Sequence, residues 1–325
     1  MRKILIPLLI SVGIVISGCD KKKMIIGDSI FDDHDSIGTN RELQKVNVFV
    51  DDRTNIETWP AGDYYSELGS VNIEFGGKYK IIKSIKVSKQ NTDFNHITMP
   101  VIIDNQMFTL DSAGILYKVD IKNNYRNIWK IDIKKLLDGN EDSFVYGGLS
   151  YGNDRLFIGT NNGYVMSFNA KDGNLLWKHD LKVPFWSPFK YRNSRIYGLS
   201  STESTIALDV SSGSTIWKHD GLQTKLMTIQ HPSVMILDDV IVSSHSTGDV
   251  FGLDINTGTP LWINNMSSAN RQSSGFILSD IDANPAIVAK DIIAVGTISG
   301  GMSIINAKNG MTAWQKQYSV NSQIA

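Results

Sequence analysis

Ala207-Leu208-Asp209-Val210-Ser211-Ser212-Gly213-Ser214-Thr215-Ile216-Trp217 reads as the end of one strand, a tight turn and the start of a second strand that carries a tryptophan. The pattern is A-x-D-x-x-x-G-x-x-x-W, and it recurs. Trp129, Trp177, Trp217, Trp262 and Trp314 stand 48, 40, 45 and 52 residues apart. Asn169, Asp209, Asp254 and Asn306 each lie eight residues before one of the last four, and Asp120 lies nine before the first. Gly173, Gly213, Gly258 and Gly310 lie four residues before the same four tryptophans. Self-similarity at this period marks a repeat architecture, in which one unit cannot bury its own apolar face and stacks on a neighbour.

The unit around Trp177 shows its parts most clearly. Arg155–Gly159 reads as a strand, Asn161-Asn162-Gly163 as a turn, and Tyr164–Asn169 as the returning strand. Lys171-Asp172-Gly173-Asn174 makes the next turn, before Leu175–His179. Asn-Gly and Asp-Gly supply the positive φ angles that hairpin turns need. Pro100–Ile103 and Pro285–Val288 supply a further apolar strand ahead of their units. Four antiparallel strands per unit make the blade of a β-propeller. The expected fold is therefore all-β, with about five four-stranded blades between Met99 and the C-terminal Ala325.

Bulk properties exclude other classes. The 325 residues are 42% hydrophobic and 20% charged, ordinary for a globular chain. The net charge of −1 gives no basic field for nucleic acid. The six histidines show no metal-ligand spacing, so neither a metal nor a cofactor is expected.

The N-terminus carries a second signal. Arg2 and Lys3 precede an apolar run, Ile4–Ile16, too short to span a bilayer comfortably, and then Ser17 and Gly18. The only cysteine, Cys19, follows at the point of cleavage. Ile16-Ser17-Gly18-Cys19 resembles the bacterial lipobox, whose cysteine is lipidated and heads the mature chain. The other reading is an ordinary cleaved signal. Two or more acyl chains on Cys19, palmitate among them, would anchor the protein stably. The chain from Cys19 would carry 30 basic and 33 acidic residues, a net charge of −3, and no disulfide framework. Asp20 resembles the inner-membrane retention signal of enteric lipoproteins, so either membrane stays open.

The expected organisation is a signal peptide over 1–18, a polar tether over 19–58, an N-terminal strand region over 59–98 and repeats over 99–325. Asp32-Asp33-His34-Asp35 reads as solvated tether, with a short strand at Val46–Val50. Trp59-Pro60-Ala61-Gly62 begins ordered structure, expected on the side of the ring. Tyr79–Val87 reads as a strand from its near alternation.

The tryptophan-ended unit resembles the repeat of PQQ-type β-propellers, in which the indole docks on the adjacent blade. Within that superfamily the lipobox, tether and blade size resemble the BamB lipoproteins of the outer-membrane β-barrel assembly machinery. Leu278-Ser279-Asp280-Ile281-Asp282-Ala283-Asn284-Pro285 is similar to that family's L-S-D-V-D-x-x-P segment. The resemblance implies that Asp280 and Asp282 contact the BamA subunit through its periplasmic POTRA domains. It implies a second contact in the loop Gln223–Gln230, where Leu226 and Met227 stand near the expected places but no arginine does. It further implies a non-enzymatic scaffold at the periplasmic face of the outer membrane, with unfolded outer-membrane proteins as further partners. The family resembles eight-bladed rings, so five blades suggest a chain short by roughly three. A fragment, a broken gene, a smaller ring and a ring closed by another chain all stay open.

Other readings compete. Asp280 and Asp282 could be calcium ligands or a solvated loop. The partner could be a different envelope protein, or the chain a fragment without function. Gly148-Leu149-Ser150-Tyr151-Gly152 matches G-x-S-x-G, but it lies at a blade's first hairpin, whereas a nucleophile elbow needs a strand-to-helix turn. A PQQ-dependent dehydrogenase would resemble its family in a calcium site and a vicinal cysteine pair, and neither is visible.

Overall fold

The chain divides into two units, Met1–Val50, none of which is described, and Asp51–Ala325. In this computed structural model the described residues are 56, 58–63, 98–138, 147–223, 232–266, 280–298, 301–316 and 320. Cys19, the expected strands at Val46–Val50 and Tyr79–Val87, and Leu226 and Met227 lie outside the described residues.

Twenty strands form five four-stranded antiparallel sheets, each paired in chain order. Blade 1 is β1 (Val101–Ile103), β2 (Gln106–Leu110), β3 (Ile115–Asp120) and β4 (Arg126–Asp132), followed by a 3-10 turn at Ile133–Leu136. Blade 2 is β5 (Gly147–Gly152), β6 (Arg155–Thr160), β7 (Tyr164–Asn169) and β8 (Leu175–Asp180). Blade 3 is β9 (Lys190–Arg192), β10 (Arg195–Leu199), β11 (Ser204–Asp209) and β12 (Thr215–Asp220). Blade 4 is β13 (Met235–Leu237), β14 (Val240–Ser244), β15 (Asp249–Asp254) and β16 (Pro260–Asn265). Blade 5 is β17 (Ala286–Ala289), β18 (Ile292–Gly296), β19 (Met302–Asn306) and β20 (Thr312–Lys316).

Local chemistry explains the blades. The first hairpins of blades 1, 2 and 3 turn on Asp104-Asn105, Asn153-Asp154 and Asn193-Ser194, all at positive φ. These are short polar side chains suited to the two-residue turns whose twist matches the strands. At the third turn the repeat's acidic or amide side chain closes the loop. Asp209 Oδ1 accepts the Ser211 and Ser212 N–H groups, both at 2.9 Å. Asp254 does the same for Asn256 and Thr257. In blade 1 the turn is one residue longer and passes through Asn124 and Tyr125 at positive φ, which explains the spacing of nine from Asp120 to Trp129.

In every blade the ladder between third and fourth strands shifts register just past the residue opposite the tryptophan. A bulge there bends the strand and re-aims a side chain. The indole then crosses to the next blade. Trp177 Nε1 donates to the Val210 carbonyl at 2.8 Å, Trp217 to Ile255 at 3.0 Å and Trp262 to Ala307 at 2.8 Å. Trp129 reaches the Lys171 carbonyl at 3.2 Å instead, and the buried Lys118 ammonium donates to both the Ala170 carbonyl at 2.8 Å and the Lys171 carbonyl at 3.2 Å. The repeat glycine has two reasons to be glycine. Gly258 has φ +71°, and a Cβ there would lie 2.5 Å from Trp217 Cε3.

The core is divided among the seams. One apolar cluster joins blades 1 and 2, and others join 2 with 3, 3 with 4, and 4 with 5. Trp177, Trp217 and Trp262 are buried in these seams, whereas Trp314 of blade 5 is 42% exposed. The fourth strands are the outer ones, and every residue of β20 is exposed. The short first strands form the opposite, inner edges.

Candidate functional site

Two places on the inner side of the blades gather polar side chains. The first is the segment 58–63, expected on the ring's side. It runs instead along the inner strands, and the reason is backbone pairing. Trp59 exchanges both main-chain hydrogen bonds with Ile102 of β1, at 2.6 and 2.9 Å. Pro60, which has no N–H to satisfy, accepts from Tyr151 N of β5 at 2.8 Å. Ala61 bridges Ser150. Beyond Gly62 the Asp63 carboxylate meets Lys190 Nζ of β9 at 2.7 Å, with both side chains only 6% exposed. The same carboxylate accepts the Ser233 hydroxyl, and Ser233 N donates to Asn284 Oδ1 at 2.7 Å. One short strap thus touches blades 1, 2 and 3 and the segments leading into blades 4 and 5. A lysine in a short inner strand was the one sequence signal for it.

The second place is the segment Asp280–Pro285, which leads into β17. It does not present two aspartates alike. Asp280 is 1% exposed, and its carbonyl accepts Ile298 N at 3.1 Å. Ile281 is fully buried in the seam between blades 4 and 5. Asp282 is half-buried. Asn284 holds the far end through Ser233. The loop is therefore pinned at both ends, with Asp282 between.

Glu203 stands near Asp280, at the third residue of the turn before β11. It has φ +62° where Gly114, Gly163 and Gly248 hold equivalent turns at positive φ. A non-glycine residue there carries strain of about 1 kcal/mol or more. Glu203 Oε2 accepts Ser246 N of blade 4 at 3.2 Å and lies 3.4 Å from His245 Nδ1, both side chains fully buried. Burial raises the Glu203 pKa above the usual carboxylate range, with Asp280 and Asp249 adding to the shift and the Ser246 hydrogen bonds opposing it. His245 Nε2 in turn faces Ser243 Oγ at 3.1 Å, and Ser243 faces Thr205 at 2.7 Å. The seam between blades 3 and 4 is thus tied by a buried polar chain. It could have been found in the sequence only by aligning Glu203 with the turn glycines.

The remaining candidates fall elsewhere. Among the described residues no three His, Cys, Asp or Glu side chains are grouped to hold a metal. Ser150 lies within β5, opposite Phe157, and is followed by a hairpin to β6 rather than by a helix. His179 and His219 occupy equivalent positions with different surroundings. His179 Nε2 meets the Ser212 carbonyl at 2.8 Å, whereas His219 packs on Phe251 with ring centroids 4.9 Å apart. Burial lowers the His219 pKa.

Comparison with known proteins fits this architecture. The family described as "Outer membrane protein assembly factor BamB" matches residues 112–325. An outer membrane protein assembly factor BamB of Nitrosomonas eutropha is 22% identical over 232 residues, covering 69% of this chain and 52% of that protein. The chain therefore spans about half the length of that relative. Among solved structures, BamB from Moraxella catarrhalis superposes with a TM-score of 0.59 at 19% identity, covering 68% of this chain and 64% of the other. The quinohemoprotein alcohol dehydrogenase ADHIIG from Pseudomonas putida HK5 superposes with a TM-score of 0.53 at 13% identity, covering 68% and 42%. At these identities the structural likeness is one of fold. The family match takes in the last two strands of blade 1 and all of blades 2 to 5, and the chain belongs to the outer membrane protein assembly factor BamB family.

Proposed function

We propose that this protein is a non-enzymatic scaffold of the outer-membrane β-barrel assembly machinery. Lipid on Cys19 would hold it at the periplasmic face of the outer membrane, where it binds the POTRA domains of a BamA-type subunit. The observation that carries this reading is the family match across 112–325, which covers almost all of the blades. The contact is assigned to the loop Asp280–Pro285, with Leu226 and Met227, which lie outside the described residues, as further candidates. The two aspartates would divide the work. Asp282 is half-exposed and able to meet a cationic or amide partner, while Asp280 is buried and acts by holding the loop. Exposed outer strands such as β20 offer an edge for pairing with unfolded barrel strands.

Capture of BamA by the full lipidated chain tests the reading. Asp282→Ala should weaken capture without changing the melting temperature, whereas Asp280→Ala should lower both. Absence of any BamA capture by the unmodified chain would rule the scaffold role out. Membrane fractionation of Cys19→Ala tests the anchor, since a variant that stays membrane-bound is not held by lipid on that cysteine.

A further inference from the structure

A cavity of about 250 Å³ opens between the strap and the inner strands of blades 2, 3 and 4. Pro60, Tyr151, Tyr191 and Ile236 supply apolar wall, and Ser150 and Arg192 supply polar groups. At this size it suits a single side chain or a small acid, somewhat below the ~300 Å³ at which pockets for drug-sized ligands begin.

The polar groups are what distinguish it. Ser150 is 1% exposed, and among the described residues its hydroxyl has no hydrogen-bond partner. A buried hydroxyl left this way carries a penalty that a ligand's acceptor would recover. The Arg192 side chain makes no hydrogen bond or ion pair among the described residues. The neighbouring cation, Lys190, is already matched by Asp63 at 2.7 Å. The cavity therefore carries one uncompensated positive charge and one unused hydroxyl over an apolar floor. Arg192 and Ser150 both line the cavity, and a planar guanidinium suits a carboxylate.

The strap shows how a carboxylate reaches this region. It pairs its backbone with Ile102 and Ser150 and delivers Asp63 to Lys190. Extended chain at the inner edges and an acidic side chain against a β9 cation are thus compatible in one geometry. We propose that the cavity is a carboxylate subsite, built to take an acidic group on an apolar body as presented by an extended peptide of a partner. The inference does not depend on the BamA contact, since it concerns different residues on the inner strands.

Isothermal titration calorimetry on the full chain tests it with three pairs. The first is benzoate against benzamide. The second is a blocked hexapeptide containing Pro-Ala-Glu against its Gln counterpart. The third is wild type against Arg192→Gln. The carboxylates should bind with Kd of about 1 mM or tighter, and each neutral analogue about tenfold more weakly. Arg192→Gln should lose about tenfold for both carboxylates at an unchanged melting temperature, because Arg192 holds no structural contact of its own. Ser150→Ala should weaken binding by a smaller factor. A Glu peptide about tenfold tighter than benzoate assigns the site to an extended chain, and equal affinities assign it to free small carboxylates. No binding heat, equal binding of acid and amide, or an Arg192→Gln variant that binds like wild type would each overturn the proposal.

Discussion

Asp63→Ala should be among the most damaging single changes in the strap. The substitution leaves the Lys190 ammonium, 6% exposed, without the carboxylate 2.7 Å away, and leaves the Ser233 hydroxyl only the longer bond to Asn284 Oδ1 at 3.4 Å. Breaking one side of a buried ion pair costs about 3–5 kcal/mol, because the remaining charge stays desolvated. A domain's whole stability is about 5–15 kcal/mol. For a domain of this size each kcal/mol corresponds to about 2–4 °C. The melting temperature should therefore fall by roughly 6–20 °C. Lys190→Met removes the charge and keeps similar volume, so the double variant should recover most of the loss. Urea denaturation followed by tryptophan fluorescence measures all four corners of the cycle. A loss below about 1 kcal/mol in Asp63→Ala would mean that Lys190 finds other solvation, and the reasoning fails. It fails equally if Lys190→Met gives no recovery.

Three further outcomes follow from the seams. Gly258→Ala should cost about 2–4 kcal/mol in urea denaturation, from its left-handed backbone and from a Cβ pushed against Trp217. Trp262→Ala should cost about 3–5 kcal/mol, whereas Trp314→Ala, at an exposed indole, should cost less than about 1 kcal/mol. The buried Glu203 has a raised pKa, so the folded state binds its proton more readily than the unfolded chain. Its contribution is fully present below the ordinary glutamate pKa and is lost as pH rises through the raised value. Glu203→Gln should remove that component, so the difference in stability between variant and wild type should widen as pH rises; a difference constant with pH would refute the assignment.

The blades were legible because each is specified by residues close in sequence. An Asp or Asn that caps its own turn, a glycine four residues before a tryptophan, and Asn-Asp hairpins all act within about a dozen residues. The docking of Trp177, Trp217 and Trp262 on the next blade spans 33, 38 and 45 residues and was expected from the resemblance of the repeat to PQQ-type propellers. The strap was misread because its pairing to Ile102, Ser150 and Lys190 leaves no local periodicity. The burial of Asp280 was hidden for a different reason. A motif tells which residues resemble a contact, but not which of them the seam buries. Here Ile281 and Asn284 anchor the loop, and Asp280 is buried while Asp282 is half-buried. Glu203 broke the repeat at a glycine position, and such a departure becomes visible only when the turns are superposed.

The strap also sets an order of events. Blades that touch only their neighbours can form one after another along the chain, as in any linear array of repeats. Asp63, however, joins partners 127 and 170 residues away. Closing loops of that length is slow compared with forming hairpins, and it needs the far partner already in place. The segment therefore precedes all five blades in the chain and finds its place among the last. During that interval the inner edges of β1 and β5 stand open, and the strap's late arrival makes five separately stacked sheets unfold as one.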